Sequence, residues 1–172
     1  ETVGVLRSKE ESTIQRNKVS VSVVVPCKNE EDNIDELVKR IPTMGSKTEV
    51  IFVDDKSSDL TSNKIKEHIL KNDNNNIIKL VNGPGKGKGA ACRAGFAKAE
   101  NDIFIILDAD MTVMPESLPS FIDALLEKRG DFINGSRLVY PIEGEAMRFL
   151  NILGNKMFAI LFSFLLSQPI KD

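Results

Sequence analysis

Cysteine is scarce. Cys27 and Cys92 are the only two, too few for a disulfide framework, so they read as small buried hydrophobes in a reducing, cytosolic setting. Histidine is scarcer. His68 is alone, with no metal partner at useful spacing, and reads as structural or solvated. There is no basic excess: the net charge of −2 argues against a dedicated nucleic-acid binder. No apolar run reaches the roughly 20 residues of a membrane-spanning helix, and no signal-peptide pattern opens the chain. A Walker loop is missing too. Neither Gly85-Lys86 nor Gly87-Lys88 has a glycine at the required upstream position, and no Ser or Thr follows either pair.

What remains is ordinary in bulk. The chain has 172 residues, 41% apolar and 28% charged, which suits one globular domain with a real core. It begins at Glu1 and stops at Asp172, and we expect it to be a piece of something longer. The charge is uneven. Lys79, Lys86, Lys88, Arg93 and Lys98 fall in a stretch without acids, and from Glu100 to Glu116 every charged residue is an acid. A basic stretch running into an acidic one suits a site that holds phosphates and a metal together.

Short β-branched runs alternate with helical spacing. Val19–Val25, Glu49–Val53, Ile77–Val81 and Ile103–Leu107 read as strands, and Phe132–Gly135 reads as a fifth. Ile34, Leu37, Val38 and Ile41 define a helix stopped by Pro42. Ser57, Ser58 and Asp59 are candidate caps for a helix carrying Ile65, Ile69 and Leu70. A further helix runs through Lys98, and another starts near Pro115 with Leu118, Phe121, Ile122, Leu125 and Leu126 on one face. The class is α/β: a Rossmann-like, mostly parallel sheet with helices on both faces. Ligands of such sheets bind outside the carboxyl ends of the strands. Those ends are Pro26 to Glu30, Asp54-Asp55, Asn82 to Gly89 and Asp108 to Asp110, so the polar residues converge on one edge.

Asp108-Ala109-Asp110 ends an apolar strand, where two carboxylates are placed to converge on Mg²⁺ or Mn²⁺, which in turn bridges phosphate oxygens. Gly83 to Gly89 leads into a helix; its glycines let the backbone approach phosphates, and Lys86 and Lys88 add charge. Asp54-Asp55 reads either as base and ribose recognition or as an Asx-type turn. A Gly85-x-Gly87-x-x-Ala90 pattern with Asp108 after the next strand keeps an NAD-binding oxidoreductase open. A nucleotidyltransferase also uses such a sheet and a metal, and a non-catalytic nucleotide-binding relative is a third alternative.

Together, Val23 to Glu30, Phe52 to Asp59, Gly85 to Gly89 and Leu107 to Asp110 resemble family 2 glycosyltransferases of the GT-A fold, above all the dolichyl- or polyprenyl-phosphate mannosyl- and glucosyltransferase branch. The resemblance runs from about Val19 to the end. It implies a nucleotide-sugar pocket lined by Pro26, Asn29 and Glu30, with Asp54 or Asp55 on the base or ribose. It sets Gly87, Lys88, Arg93 and Ala109 at the nucleotide sugar and its phosphates, and Asp108 and Asp110 at both the nucleotide sugar and the metal. Thr112 falls where relatives often carry a Gln ligand. Arg137, in Gly135-Ser136-Arg137, would lie near the donor sugar and acceptor, and Asp172 would open an acceptor-side segment. The donor would be a UDP- or GDP-linked sugar and the acceptor a polyprenyl or dolichyl phosphate, joined by inverting displacement. In some relatives a methyltransferase-like domain comes first, so residues 1–18 read as a linker or the remnant of such a junction.

The expected organisation is a core over residues 19–145 and an apolar helical segment over 146–172. The apolar stretch 149–166 is expected to meet either a second copy, as a homodimer, or a membrane surface. The location expected is cytoplasmic, peripheral at the cytoplasmic membrane face.

Overall fold

A computed structural model describes residues 13–71, 75–135 and 149–166. The chain divides into two compact units, Glu1–Asp131 and Phe132–Asp172. The division expected at residues 145 and 146 lies outside the described residues.

The first unit alternates strand and helix: β1 (Ser20–Cys27), α1 (Glu31–Arg40), β2 (Lys47–Asp54), α2 (Thr61–Lys71), β3 (Ile77–Asn82), α3 (Lys88–Phe96) and β4 (Ile103–Ile106). A 3₁₀ turn (Pro115–Ser117) then leads into α4 (Leu118–Leu126). Among the described residues the sheet has four strands in the order β3-β2-β1-β4, and every pairing is parallel. The central strands carry β-branched and apolar residues on both faces, as a doubly covered parallel sheet requires. Val21, Val23 and Val25 of β1 join Ile34, Leu37 and Val38 of α1, Ile65 of α2, and Leu118 and Ile122 of α4 in one core. Val24 of β1, with Ile51 and Val53 of β2, packs on Ala91 of α3 in a second. Helices therefore cover both faces, as expected. Gly95 shows how close α3 comes to the sheet: a Cβ there would stand 2.4 Å from Val24 Cγ1 and 3.0 Å from Val53 Cγ2.

The register puts a polar bolt at the amino ends of the strands. Glu49 is fully buried and pairs in register with Ser22. Its carboxylate accepts from Ser22 Oγ at 2.6 Å and from Glu100 N at 2.9 Å. Lys79 Nζ of β3 lies 2.7 Å away and also reaches Glu100 at 3.1 Å. One carboxylate thus ties β1, β2, β3 and the α3–β4 loop. Burial pushes its pKa up, but the bonds from Lys79, Ser22 and the Glu100 amide win, and it sits below the ordinary carboxylate range.

Two local expectations are corrected. The fifth strand does not form over Phe132–Gly135, which is irregular; Phe132 is 83% exposed, and an apolar run becomes a strand only where a partner edge takes up its backbone bonds. Ser58 does not cap α2. Its N–H donates to Asn29 Oδ1 at 2.8 Å, and Asp59 does the capping, accepting from Thr61 N at 3.0 Å. Both cysteines are buried, as expected.

Residues 13–16 form one helical turn, and Arg16 Nη1 pairs with Asp123 Oδ2 at 2.7 Å. In the second unit, α5 (Phe149–Leu166) is apolar over most of its sequence. Phe158 and Phe162, one turn apart, stack with centroids 6.4 Å apart. No helix among the described residues is long and apolar enough to cross a membrane.

Glu49→Ala should destabilise the first unit by about 2–3 kcal/mol, since Ser22 Oγ and the Glu100 amide lose a charged acceptor. The pH dependence has a fixed sign. A carboxyl held below its unfolded value of about 4.3 contributes fully above that value and loses its contribution as pH falls through the folded one. Acid titration of melting temperature should therefore fall less steeply for Glu49→Gln than for wild type. Parallel curves would refute the bolt.

Candidate nucleotide and metal site

Four loops meet at the carboxyl ends of the strands. The β1–α1 and β2–α2 loops are laced together by side chains. Asn29, at φ +58°, donates its N–H to Ser57 Oγ at 2.9 Å, and its Oδ1 accepts from Ser58 N at 2.8 Å. Glu30 N donates to Thr61 Oγ1 at 2.8 Å, and Glu31 Oε2 accepts from Leu60 N at 2.6 Å. Asp54 Oδ1 accepts from Ser57 N, three residues on, at 3.0 Å, which shapes the start of the loop. The Asn29 and Asp54 side chains are therefore partly spent on shaping the loops, and Glu30 Oε2 is bonded to Asn33 Nδ2 at 2.7 Å.

Asp55 is only 3% exposed and reaches across to the glycine loop. Its Oδ1 accepts from Gly85 N at 2.6 Å and its Oδ2 from Gly87 N at 2.9 Å. Gly85 and Gly87 stand at φ +72° and +88°, where a side chain is strained. A Cβ on Gly87 would meet no atom within 4 Å, so open space lies beside the backbone that begins α3. The helix opens there with two lysines close by and no acid in its first turn, an anion-favouring end. Arg93 is exposed on α3, and no hydrogen bond or ion pair engages its guanidinium among the described residues.

On the acidic side, Leu107 N donates to Val24 O at 3.0 Å, which delivers Asp108 to the sheet edge. Ala109 is buried beneath the loop. Met111 takes φ +54° and turns the chain back. Asp110 Oδ1 accepts from Thr112 N at 2.9 Å; Thr112 is exposed. Lys88 Nζ lies 2.6 Å from Asp108 Oδ1 and 2.8 Å from Oδ2. An ammonium thus straddles the carboxylate, as a hard cation would. No group of three or more His, Cys, Asp or Glu side chains is placed to hold a metal among the described residues. Two carboxylates still fit Mg²⁺ or Mn²⁺, which commonly bind through one or two carboxylates, with phosphate oxygens and water filling the shell. Pro26 lies half-buried near the end of β1. Arg137 and Asp172 lie outside the described residues.

Cys27, between these loops, is excluded as a nucleophile. Burial, then Glu30, Asp54 and Asp59, push its thiol far above the ordinary range. Sequence reasoning missed Arg40, which at a helix end reads only as a complement to the dipole. Its Nε donates to Glu116 Oε1 at 2.6 Å and its Nη2 to Oε2 at 2.8 Å. The guanidinium holds the Glu116 carboxyl down at about 2 and clamps the segment that follows Asp108 to Asp110 onto α1.

Residues 22–169 match the family model described as "Glycosyl transferase family 2". The chain belongs to glycosyltransferase family 2. The dolichol-phosphate mannosyltransferase of Pyrococcus furiosus is 36% identical over 124 residues, covering 70% of this chain and 34% of that protein. The undecaprenyl-phosphate 4-deoxy-4-formamido-L-arabinose transferase of Edwardsiella ictaluri is 36% identical over 108 residues, 60% of this chain and 33% of that one. Among solved structures, a mannosyltransferase from Pyrobaculum calidifontis, in complex with GDP-Man and Mn²⁺, superposes with a TM-score of 0.54 at 27% identity, covering 62% of this chain and 32% of that one. This family 2 chain thus spans about a third of the length of these relatives. Its fold is the GT-A type, and the family match disfavours the oxidoreductase and nucleotidyltransferase alternatives.

Asp55→Asn presents an amide where two N–H groups need acceptors. It should cost about 1–3 kcal/mol and raise amide hydrogen exchange at Gly85 and Gly87 at least tenfold relative to β1. Unchanged exchange at both glycines would show that Asp55 does not hold the loop.

Proposed function

We propose that this chain forms the nucleotide-sugar half of a transferase that moves a hexose from a UDP- or GDP-linked donor to a polyprenyl or dolichyl phosphate. The observation that carries the reading is the meeting of the Asp55-pinned glycine loop with Asp108 through Lys88. An anion-binding backbone and a cation-binding carboxylate stand side by side, which is what a metal-bound diphosphate needs. Family membership supports the same reaction class, and the two curated relatives are named for polyprenyl-type phosphate acceptors.

In this reading Asp108 and Asp110 hold Mg²⁺ or Mn²⁺, with Thr112 as the neighbouring candidate ligand. When bound, the cation neutralises charge gathering on the departing nucleoside diphosphate. With a cation on Asp108, Lys88 would be free to turn to the phosphates together with Arg93, while Gly87 stays pinned by Asp55. Pro26, Asn29, Glu30 and Asp54 shape the nucleoside end, while Asp55 acts through the loop. Arg137 and Asp172 remain candidates for the donor-sugar and acceptor side. An acceptor phosphate is already ionised at neutral pH, so the chain needs no side-chain general base. Its residues supply position and electrostatics for a single inverting displacement at the sugar carbon.

Thermal shift tests the site directly, because ligands that bind only the folded state raise its apparent stability. UDP or GDP with Mn²⁺ should raise the melting temperature, NAD should not, and Asp110→Ala should abolish the metal-dependent part. Metal-dependent stabilisation surviving in Asp110→Ala would remove Asp110 from the site, and a shift with NAD alone would reverse the reading.

We propose also that residues 149–166 meet a second copy or a lipid surface, at the cytoplasmic face of a membrane in the latter case. A helix this rich in apolar residues is covered by protein or lipid. Replacing both Phe158 and Phe162 by Glu should abolish self-association in sedimentation, or binding to anionic liposomes, while nucleotide binding persists. Loss of folding would make the segment core instead, and no change would discard the interface.

A further inference from the structure

Lys56 follows Asp54-Asp55 and adopts φ +62°, a left-handed conformation that a long side chain rarely occupies. The strain sits beside the site, where such residues tend to cluster. The side chain has a definite place. A Cβ on Gly85 would stand 2.5 Å from Lys56 Cδ, 2.8 Å from Cε and 3.1 Å from Nζ. The lysine stem therefore lies across Gly85, and its ammonium ends at the glycine loop. The preceding residue, Asp55, bonds the amides of Gly85 and Gly87. Two consecutive residues thus grip one loop, the first by hydrogen bonds and the second by packing.

The charge of Lys56, like that of Lys86 in the loop itself, is unpaired among the described residues. Lys64 lies on Asp35, Lys79 on Glu49 and Glu100, and Lys88 on Asp108. Lys56 pairs with no carboxylate among the described residues. An ammonium without a carboxylate partner, held against the loop that opens α3, is free to meet an anion there.

We propose that Lys56 contacts the diphosphate of the bound nucleoside diphosphate and that its strained backbone is retained for that contact. This rests on the nucleotide-diphosphate reading above. Strain held for function predicts opposite effects on stability and binding from one substitution.

Lys56→Gly relieves the positive φ and removes the charge. Without ligand the variant should melt about 2 °C higher, the direction expected when strain is released in a domain of this size. In calorimetric titrations with Mn²⁺ present, it should bind UDP or GDP, whichever the wild type binds more tightly, about 5–20-fold more weakly, the range of one lost charge-assisted bond. Its affinity should also depend less on salt. Lys56→Arg keeps the charge and should bind within about threefold of wild type. Lys56→Asn, also at home at positive φ, repeats the charge loss if the glycine loosens the turn. Wild type that binds a nucleotide no more tightly than Lys56→Gly and Lys56→Asn would overturn the role of Lys56 alone. Wild type that binds neither UDP nor GDP would overturn the nucleotide-diphosphate reading, and this proposal with it.

Discussion

The carboxylate of Asp55 holds the functional edge together. It is buried, it directly follows a central strand, and both of its oxygens are spent on amides of a loop 30 and 32 residues downstream. A glycine-rich segment by itself is an entropic burden, since glycine loses more freedom on ordering than any other residue. Two charge-assisted bonds from a rigid sheet offset that loss and aim the remaining backbone at open space. With the loop in place, α3 begins at a defined point, and Lys88 in its first turn is brought to Asp108. The contact between the basic and acidic sides of the site is thus downstream of one acid just past β2.

That acid works only because the sheet beneath it is stiff. The β1–β2 pairing aligns Cys27 with Asp54, so the two loops leave the sheet at one level, where Asn29, Ser57, Ser58, Asp59, Glu31 and Thr61 bind them to each other. At the opposite end, Glu49 locks the same strands with Lys79 and the turn before β4. Polar networks at both ends and apolar packing between them leave little room for a register slip, which in a two-faced apolar sheet would be weakly opposed by side-chain pattern alone.

The fold was legible in the sequence wherever one kind of residue had one kind of explanation. The Val-rich run of β1, the apolar stripe of α1 and the Pro115 start are of this sort, and the class, the strand ends and their convergence follow from them. Reading failed where a partner distant in sequence decides the outcome. Ser58 looks like a cap, but its partner is Asn29. Phe132–Gly135 looks like a strand, but apolar character carries no information about an available edge. Asp54 and Asp55 were open between ligand and turn. The structure gives both structural work of different kinds, and only the three-dimensional path of the glycine loop distinguishes them. Lys88 and Arg93 both fall in α3 directly after the pinned loop, a placement that helix geometry makes readable in advance.

The two thiols add an experimental handle. Cys27 lies at the end of β1, and Cys92 lies in α3; both are buried, and both are pushed toward the protonated form. An alkylating reagent therefore meets neither in the closed molecule. Its rate of attack measures how often each layer opens, and because no disulfide joins the two, each rate belongs to its own layer. A ligand that settles into the glycine loop would slow the two clocks unequally, without any label being introduced.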